Sequence, residues 1–451
     1  MRILFINAID PYSEVQSRWP NLGLGYLASA LRPYFKIDFK IVSRNIPQEI
    51  KSFRPDIVGI TAVSQNYGYA KQYAAVAKQA GLPVIIGGMH ISALPYSMTR
   101  DMDIAVIGEG ERTIVEVVER LWSPNGIKDL SSVKGIAFRI NDRIFMTGPR
   151  PLIDPLDQIS RPARDLMKIR TQSSLFSSRG CPYRCTFCAS SRYWKAVRFF
   201  SASYVCYELM EMIFMGVKRV NFYDDLMIAD LPRLIELHNN IVNHRELRRL
   251  RFWLNARANT VTEETAHLMA DMGVVSVGMG LESGNARTLK YLKGGSVSVE
   301  DNYNAIRLLH ENGIAATASF VIGSPDETEE EIMDTYHFIE NSGLDFVDVF
   351  PLVPYPGTPV WDEARARGFV SDIDMDWSRL GIYHNKKKDP IIMSRHLTRA
   401  DMDRIYAKFQ RLRLKIAAKR AWFHPFFKEM IKAGSKKLFN SMRKQIADRP
   451  L

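Results

Sequence analysis

Cysteine is scarce: four in 451 residues, too few for the disulfide framework of a secreted protein. Long apolar runs are missing too. None approaches the roughly 20 residues that a bilayer-spanning helix needs, which excludes an integral membrane protein. The N-terminus, MRILFINAID, lacks the apolar stretch and cleavage site of a secretory signal and reads as a strand from residue 1. Acidic residues are in deficit, 49 Asp+Glu against 61 Lys+Arg for a net charge of +12. The deficit is local: residues 401–451 hold 14 Lys/Arg against 4 Asp/Glu, leaving 47 against 45 in the first 400. What remains is ordinary globular composition, 46% hydrophobic and 24% charged, which argues against disorder or a repeat architecture. At this length two or three domains are expected, in a cytoplasmic protein with a near-neutral body and a basic tail.

The pattern along the chain is α/β. Short apolar runs at 2–7, 36–42, 56–61, 83–87 and 104–107 alternate with helical stretches at 22–31, 47–53, 67–79 and 111–121. Runs such as DIVGIT and PVIIGG are apolar on both faces, as strands covered by helices on each side must be. Residues 1–125 therefore read as a doubly wound, flavodoxin- or Rossmann-like parallel sheet of about five strands. Ligands bind such sheets beyond the strand carboxyl ends, which here carry Thr61–Ser64, Gly87, Gly88, Met89, His90 and the run Gly108-Glu109-Gly110-Glu111. Residues 126–170 read as a connector with a hairpin near 135–145 and several prolines. Strands then resume at 173–178, 219–222, 251–255, 274–279, 315–322 and 346–350, with helices between them. Six such units over 171–378 make a partial (β/α)6 TIM-type barrel, whose reacting groups belong at the strand carboxyl ends. A helical, basic region follows over 379–451.

Chemistry centres on the loop after the first barrel strand, where Cys181, Cys185 and Cys188 give C-x3-C-x2-C. Three thiolates on a Gly/Pro-containing loop can converge on one centre. A closed zinc site needs four protein ligands, and the remaining cysteine, Cys206, falls in a helical stretch without a partner. Four thiolates would complete an ordinary [4Fe–4S] cluster, whereas three leave one iron open to a small molecule. A three-cysteine zinc site and unrelated thiols are the plainer alternatives.

This motif, with Phe187 just before the third cysteine, resembles that of the radical S-adenosylmethionine (SAM) superfamily. The resemblance implies that the open iron chelates SAM, and that an electron from the cluster cleaves it to a 5′-deoxyadenosyl radical. It also implies roles at successive strand ends: Asp225 at the barrel mouth, Arg257 for the SAM carboxylate, Glu282 for the ribose hydroxyls and Gly323 beside the adenine. Individually such residues are often helix caps or turns.

The front domain joined to this barrel resembles the cobalamin-binding branch of the superfamily, the class that includes radical SAM methyltransferases. The resemblance assigns Thr61, Ser64, Gly87, Gly88, Glu109 and Gly110 to cobalamin. One departure stands out. Free-standing cobalamin domains often carry Asp-x-His-x-x-Gly after the first strand, and residues 9–28 here contain no histidine. No protein imidazole is therefore expected on the cobalt, and His90 is not expected to replace it. The implied cofactors are a [4Fe–4S] cluster, SAM and cobalamin. The implied reaction is methyl transfer to an unactivated carbon of a small-molecule or lipid-like substrate, with cyclisation or rearrangement, or a front domain without cobalamin, as alternatives. A flavodoxin or ferredoxin would donate the electron.

Two apolar stripes mark the basic tail, Ile405, Phe409, Leu412 and Ile416, then Phe427, Ile431, Leu438, Met442 and Ile446. Such helices could lie on an anionic membrane or pack on the open side of the barrel with their lysines solvated. Both readings stay open at this point. Nucleic acid is not expected, because no RNA-binding module accompanies the charge.

Overall fold

A computed structural model describes residues 1–11, 19–122, 126–382 and 389–420. The front sheet comprises β1 (Arg2–Asn7), β2 (Asp38–Val42), β3 (Ile57–Thr61), β4 (Val84–Gly87), β5 (Ile104–Val106), β6 (Ile136–Ile140) and β7 (Arg143–Met146). Their order is β2-β1-β3-β4-β5-β6-β7. The first five are parallel, while β6 and β7 are antiparallel. The hairpin expected in the connector thus extends the front sheet instead of linking two domains. It pairs with β5, whose outer edge would otherwise stay open. Apolar residues cover both sheet faces: Leu4, Ile6, Val58 and Ile86 on one, Ile3, Phe5, Ile57 and Ile85 on the other.

The second sheet is a parallel six-stranded barrel wall, in the order β15-β14-β13-β12-β11-β8. It comprises β8 (Gln172–Leu175), β11 (Arg219–Phe222), β12 (Arg251–Ala256), β13 (Val274–Glu282), β14 (Ala315–Ile322) and β15 (Phe346–Pro351). The first barrel strand is shorter than the sequence suggests. Its continuation peels away as β9 (Ser178–Arg179) and pairs antiparallel with β10 (Arg198–Phe199). The segment between these two, which carries all three clustered cysteines and the short helix Ser190–Tyr193, is a loop with a closed neck. Helices expected between the strands are present, and among the described residues four shorter ones join them, Met89–Ala93, Ser190–Tyr193, Ala286–Lys293 and Pro359–Ala366. Ala286–Lys293 is framed by Asn285, which accepts from the amides of Arg287 and Thr288, and by Gly294 in the left-handed region. So short a helix between glycines gives little periodicity to read.

The two sheets share packing. The core on one face of the front sheet runs on into Val321, Leu352, Trp361 and Trp377 of the barrel side. Helix Arg399–Arg420 packs against the edge strand β15 and helix Glu329–Asn341, with Ile405, Phe409, Leu412 and Ile416 buried in the barrel core. The first apolar stripe of the tail therefore packs on the protein and is not free to meet a membrane. The second stripe lies outside the described residues. Among the described residues no helix is long and apolar enough to cross a membrane.

Candidate functional site

The cysteine loop lies where the two sheets' strand ends face each other. A cavity of about 750 Å³ is walled on one side by Ser64, Met89, Gly108 and Glu109 from the front sheet, and on the other by Phe187 and Cys188. A second cavity of about 410 Å³ continues into the front sheet between Phe5, Gly59, Thr61, Gly87, Gly88 and Gly110. It opens where β1 is flanked by β2 and β3, the point at which strand order reverses, and there such sheets receive ligands. Glycine shapes this crevice. Gly88 has φ +100, and a Cβ on it would lie 2.7 Å from Thr61 Oγ1 and 2.8 Å from the Ala62 carbonyl. On Gly59 a Cβ would lie 2.7 Å from the Phe5 ring.

All three clustered cysteines are half-buried free thiols. Burial, together with Asp225 and the neighbouring sulfurs, pushes Cys181 up to about 11, and burial likewise raises Cys188. A metal bound there would have to ionise these thiols itself. Among the described residues no three His, Cys, Asp or Glu side chains converge on a single metal-ion position. Three thiols carried on one loop are the donor set that a cluster with one open iron takes. Cys206 lies on helix Ala202–Phe214, outside the loop, and burial raises it to about 11.

Arg257 is brought to this loop, and Glu282 lies near Arg257 and Lys293. Arg257 Nη1 lies 3.4 Å from Cys185 Sγ, and its guanidinium stacks 3.9 Å from the Tyr183 ring centroid. Nη2 donates to Ser296 Oγ at 2.7 Å and to the Lys293 carbonyl at 3.3 Å. The fork expected for a SAM carboxylate is thus largely committed within the protein, and its Nε is buried without a partner. Glu282 is buried at φ +65, where β13 bulges, and Lys293 Nζ stands 3.8 Å from it. Burial raises Glu282 and lowers Lys293. Asp225 accepts from Ser190 Oγ at 2.7 and 2.6 Å, tying the second barrel strand end to the cysteine loop. Its neighbour Asp224 is buried and accepts the Ser177 amide at 2.6 Å, a structural role.

Gly323 is placed elsewhere. It borders neither large cavity but a void of about 10 Å³ beneath Met402. Its φ is +83, and a Cβ would lie 2.9 Å from Met402 Cε. The positive φ is what favours glycine there, since Met402 Cε is the movable end of a flexible side chain. Beside it, Glu327 Oε2 accepts the amides of Gly323 and Ser324 at 2.7 and 3.0 Å, and burial lifts its carboxyl to about 7.

His90 is fully buried, its two ring nitrogens 3.1 Å from Ser64 Oγ and 3.1 Å from Ser97 Oγ. It stacks on Tyr67, and burial lowers it to about 3, so the ring is neutral and occupied. Ser64, expected at cobalamin, lines the larger cavity while sharing that hydrogen bond. Glu109 was expected there too, but its carboxylate is spent on other partners. It accepts from Arg179, twice from Arg198 and from the Ile153 amide. Burial works to raise it, yet those partners hold it below the usual carboxylate range. The two arginines were invisible as site residues, because only the β9–β10 pairing brings them together. Tyr355, Tyr383 and His384 are aromatic candidates for facing a substrate on the sequence alone; Tyr355 lines the larger cavity, and Tyr383 and His384 lie outside the described residues.

A thiol-rich loop on a partial barrel, set against the ligand-binding edge of a doubly wound sheet, defines an α/β protein with two facing sites. The comparisons with known proteins make that specific. Residues 175–339 match the radical SAM superfamily and residues 12–118 match the B12 binding domain. An uncharacterized methyltransferase of Pyrococcus horikoshii is 30% identical over 90% of this chain and 92% of its own. The chain belongs to the radical SAM superfamily, in the branch of methyltransferases that carry a B12 binding domain. An anaerobic magnesium-protoporphyrin IX monomethyl ester cyclase of Cereibacter sphaeroides is 24% identical over 94% of this chain and 71% of its own. Among solved structures, the radical SAM methyltransferase TsrM of Kitasatospora setae, with cobalamin and a [4Fe–4S] cluster bound, matches with a TM-score of 0.71. That match has 19% identity and covers 81% of this chain and 78% of the other, which shows the shared fold. A [4Fe–4S] cluster, SAM and cobalamin come with this membership.

Proposed function

We propose that this enzyme transfers a methyl group to an unactivated carbon of a largely apolar substrate held between its two cofactor sites. One observation carries the reading: a single cavity of about 750 Å³ has the strand ends of the B12 binding domain as one wall and Phe187 and Cys188 as the other. A substrate carbon there has a cofactor on each side. Bound in place, the cluster with SAM supplies hydrogen-atom abstraction, and methylcobalamin supplies the methyl group.

The chain's own residues bind, orient and exclude water. Cys181, Cys185 and Cys188 would hold the cluster and leave it one position open to SAM. Arg257 donates to the Cys185 sulfur and braces Tyr183, fixing the loop against β12. Thr186 N donates to the Leu292 carbonyl at 3.0 Å, anchoring the loop to helix Ala286–Lys293. Gly59, Gly88 and Gly110 leave open the cleft that would take the corrinoid's nucleotide tail. Val63, Met89, Ile107, Met146, Leu152 and Tyr355 give the cavity an apolar lining, which supports a hydrophobic substrate and keeps water from a radical. An unactivated C–H bond has no proton that a side chain can remove at neutral pH, so acid–base chemistry would fail on it. A flavodoxin or ferredoxin supplies the electron.

The similarity to a cyclase supports ring formation as the second reading. One experiment separates them. The enzyme, reconstituted anaerobically with hydroxocobalamin, is given SAM with a deuterated methyl group, a reductant and cell extract, and products are weighed by mass spectrometry. Methyl transfer places the label in the product. Cyclisation releases 5′-deoxyadenosine with no label transferred. Zinc at the thiols, or no iron in anoxically purified protein, overturns both.

A further inference from the structure

The cysteine loop hangs from a neck. Arg179 and Arg198 face each other across the β9–β10 ribbon, and residues 180–197 between them carry all three clustered thiols. The neck is tight: a Cβ on Gly180, at φ +96, would lie 2.2 Å from the Ala196 carbonyl. Both guanidiniums close on one carboxylate from the other domain. Glu109 Oε1 accepts from Arg179 Nη1 and from Arg198 Nη2, each at 2.8 Å. Its Oε2 accepts from Arg198 Nη1 at 3.0 Å and from the Ile153 amide at 2.7 Å. Arg179 Nη2 reaches Glu111 Oε1 at 2.5 Å, and Tyr193 within the loop donates to the Gly108 carbonyl at 2.8 Å. Arg179 also lies over the Tyr26 and Trp194 rings, at 5.4 and 5.3 Å.

Glu109, Arg179 and Arg198 are all buried. Two carboxylates meet two guanidiniums, so charge balances, and bidentate geometry fixes orientation as well as distance. Buried ion pairs of this kind add little net stability but specify one arrangement strongly, since a misplaced partner leaves a charge unpaired.

We infer that Glu109 is a positioning residue: by gripping both ends of the cysteine loop's neck it sets the separation and orientation of the cluster relative to the corrinoid. This rests on the cofactor placement proposed above. The turn at Gly108–Glu111 borders both cavities, so one side chain reports the position of the cobalamin edge to the thiol loop. Methyl transfer needs the substrate carbon within reach of both cofactors, and reach between two rigid domains is decided at such a contact.

The test compares wild type with Glu109→Gln, Arg198→Gln and Arg198→Lys. In the cofactor-free chain, amide hydrogen exchange over 180–200 should speed up about tenfold in Glu109→Gln and Arg198→Gln, as losing one charged hydrogen bond implies. Arg198→Lys should recover part of that. In holoenzyme poised with cob(II)alamin and reduced cluster both paramagnetic, the dipolar coupling between them should spread in the two Gln variants while iron and cobalamin contents stay at wild-type levels. Unchanged exchange, or unchanged coupling at full cofactor loading, overturns the inference. Loss of cobalamin alone with protected neck amides also overturns it and makes Glu109 a corrinoid contact. If wild type itself takes up no iron or cobalamin, the cofactor placement fails, while the exchange measurement still decides whether Glu109 holds the neck. Should Arg198→Gln not fold, the near-isosteric Glu109→Gln carries both measurements.

Discussion

The Arg257 guanidinium stands 3.4 Å from Cys185 Sγ while it stacks 3.9 Å from the Tyr183 ring centroid, joining the third barrel strand end to the middle thiol of the triplet. Donors to a cluster's sulfurs stabilise the reduced, more negative state and raise its potential. Arg257→Lys keeps the positive charge but loses the planar fork, so it isolates the hydrogen bond. A hydrogen bond to a charged group is worth roughly 1.5–3 kcal/mol, and only part of that distinguishes the two redox states. The reduction potential of the assembled cluster should fall by roughly 50–100 mV, at about 60 mV per tenfold for one electron. A redox titration followed by electron paramagnetic resonance, at unchanged iron content, checks this; an unaltered potential refutes it.

Gly88 follows β4 at φ 100, ψ −177, a region open essentially to glycine alone. Gly88→Ala adds both backbone strain, about 1–3 kcal/mol, and a methyl 2.7 Å from Thr61 Oγ1. One of the two turns must move. Thermal unfolding should show the lost stability, and a hydroxocobalamin titration followed by visible absorption should show weaker binding. Wild-type behaviour in both would mean that the crevice tolerates a side chain and does not hold the corrinoid closely.

Both sheets and the thiol loop were legible because their signals are local: two-faced apolar runs, strand-end glycines and a tight cysteine spacing. The hairpin 136–146 was visible as a hairpin but not as part of the front sheet, since pairing with β5 is a tertiary choice that short-range alternation does not encode. Glu109 illustrates a second limit. Its place in a glycine-rich strand-end turn suggested a cofactor contact, and only the β9–β10 pairing reveals two arginines converging on it. Gly323 shows a third: positive φ at a strand end reads the same whether a ligand or Met402 lies above. The C-terminal stripe at Ile405–Ile416 had two physical readings of similar merit, and burial against the barrel decides between them.

Glu327 carries a pH signature. Burial lifts its carboxyl from 4.5 to about 7, so the folded protein holds a proton that the unfolded chain releases. For a raised carboxylate the stabilisation is complete below pH 4.5 and is lost as pH climbs to about 7. Glu327→Gln cannot titrate, and its amide oxygen can still accept the Gly323 and Ser324 amides. The stability gap between wild type and variant should therefore shift against wild type by about 3 kcal/mol between pH 4.5 and pH 7. Urea denaturation at a series of pH values measures the gap. A gap independent of pH would show that Glu327 is ionised throughout.

Phe409 tests what the basic helix is for. The ring is buried in the barrel core and meets Tyr336 edge-on with centroids 5.6 Å apart. Three cations around it pair with the barrel: Arg404 with Glu329, Arg413 with Asp348 at 3.0 Å and Lys415 with Glu340 at 2.9 Å. Exposed pairs like these contribute little, so apolar burial is what attaches the helix. Phe409→Ala should cost about 3–5 kcal/mol and expose Met402 above Gly323, loosening the fifth barrel strand end. Differential scanning calorimetry should show the drop, with faster hydrogen exchange over 322–328. If instead stability is kept and the variant loses only binding to anionic vesicles, the stripe faces lipid and the packing described here is wrong.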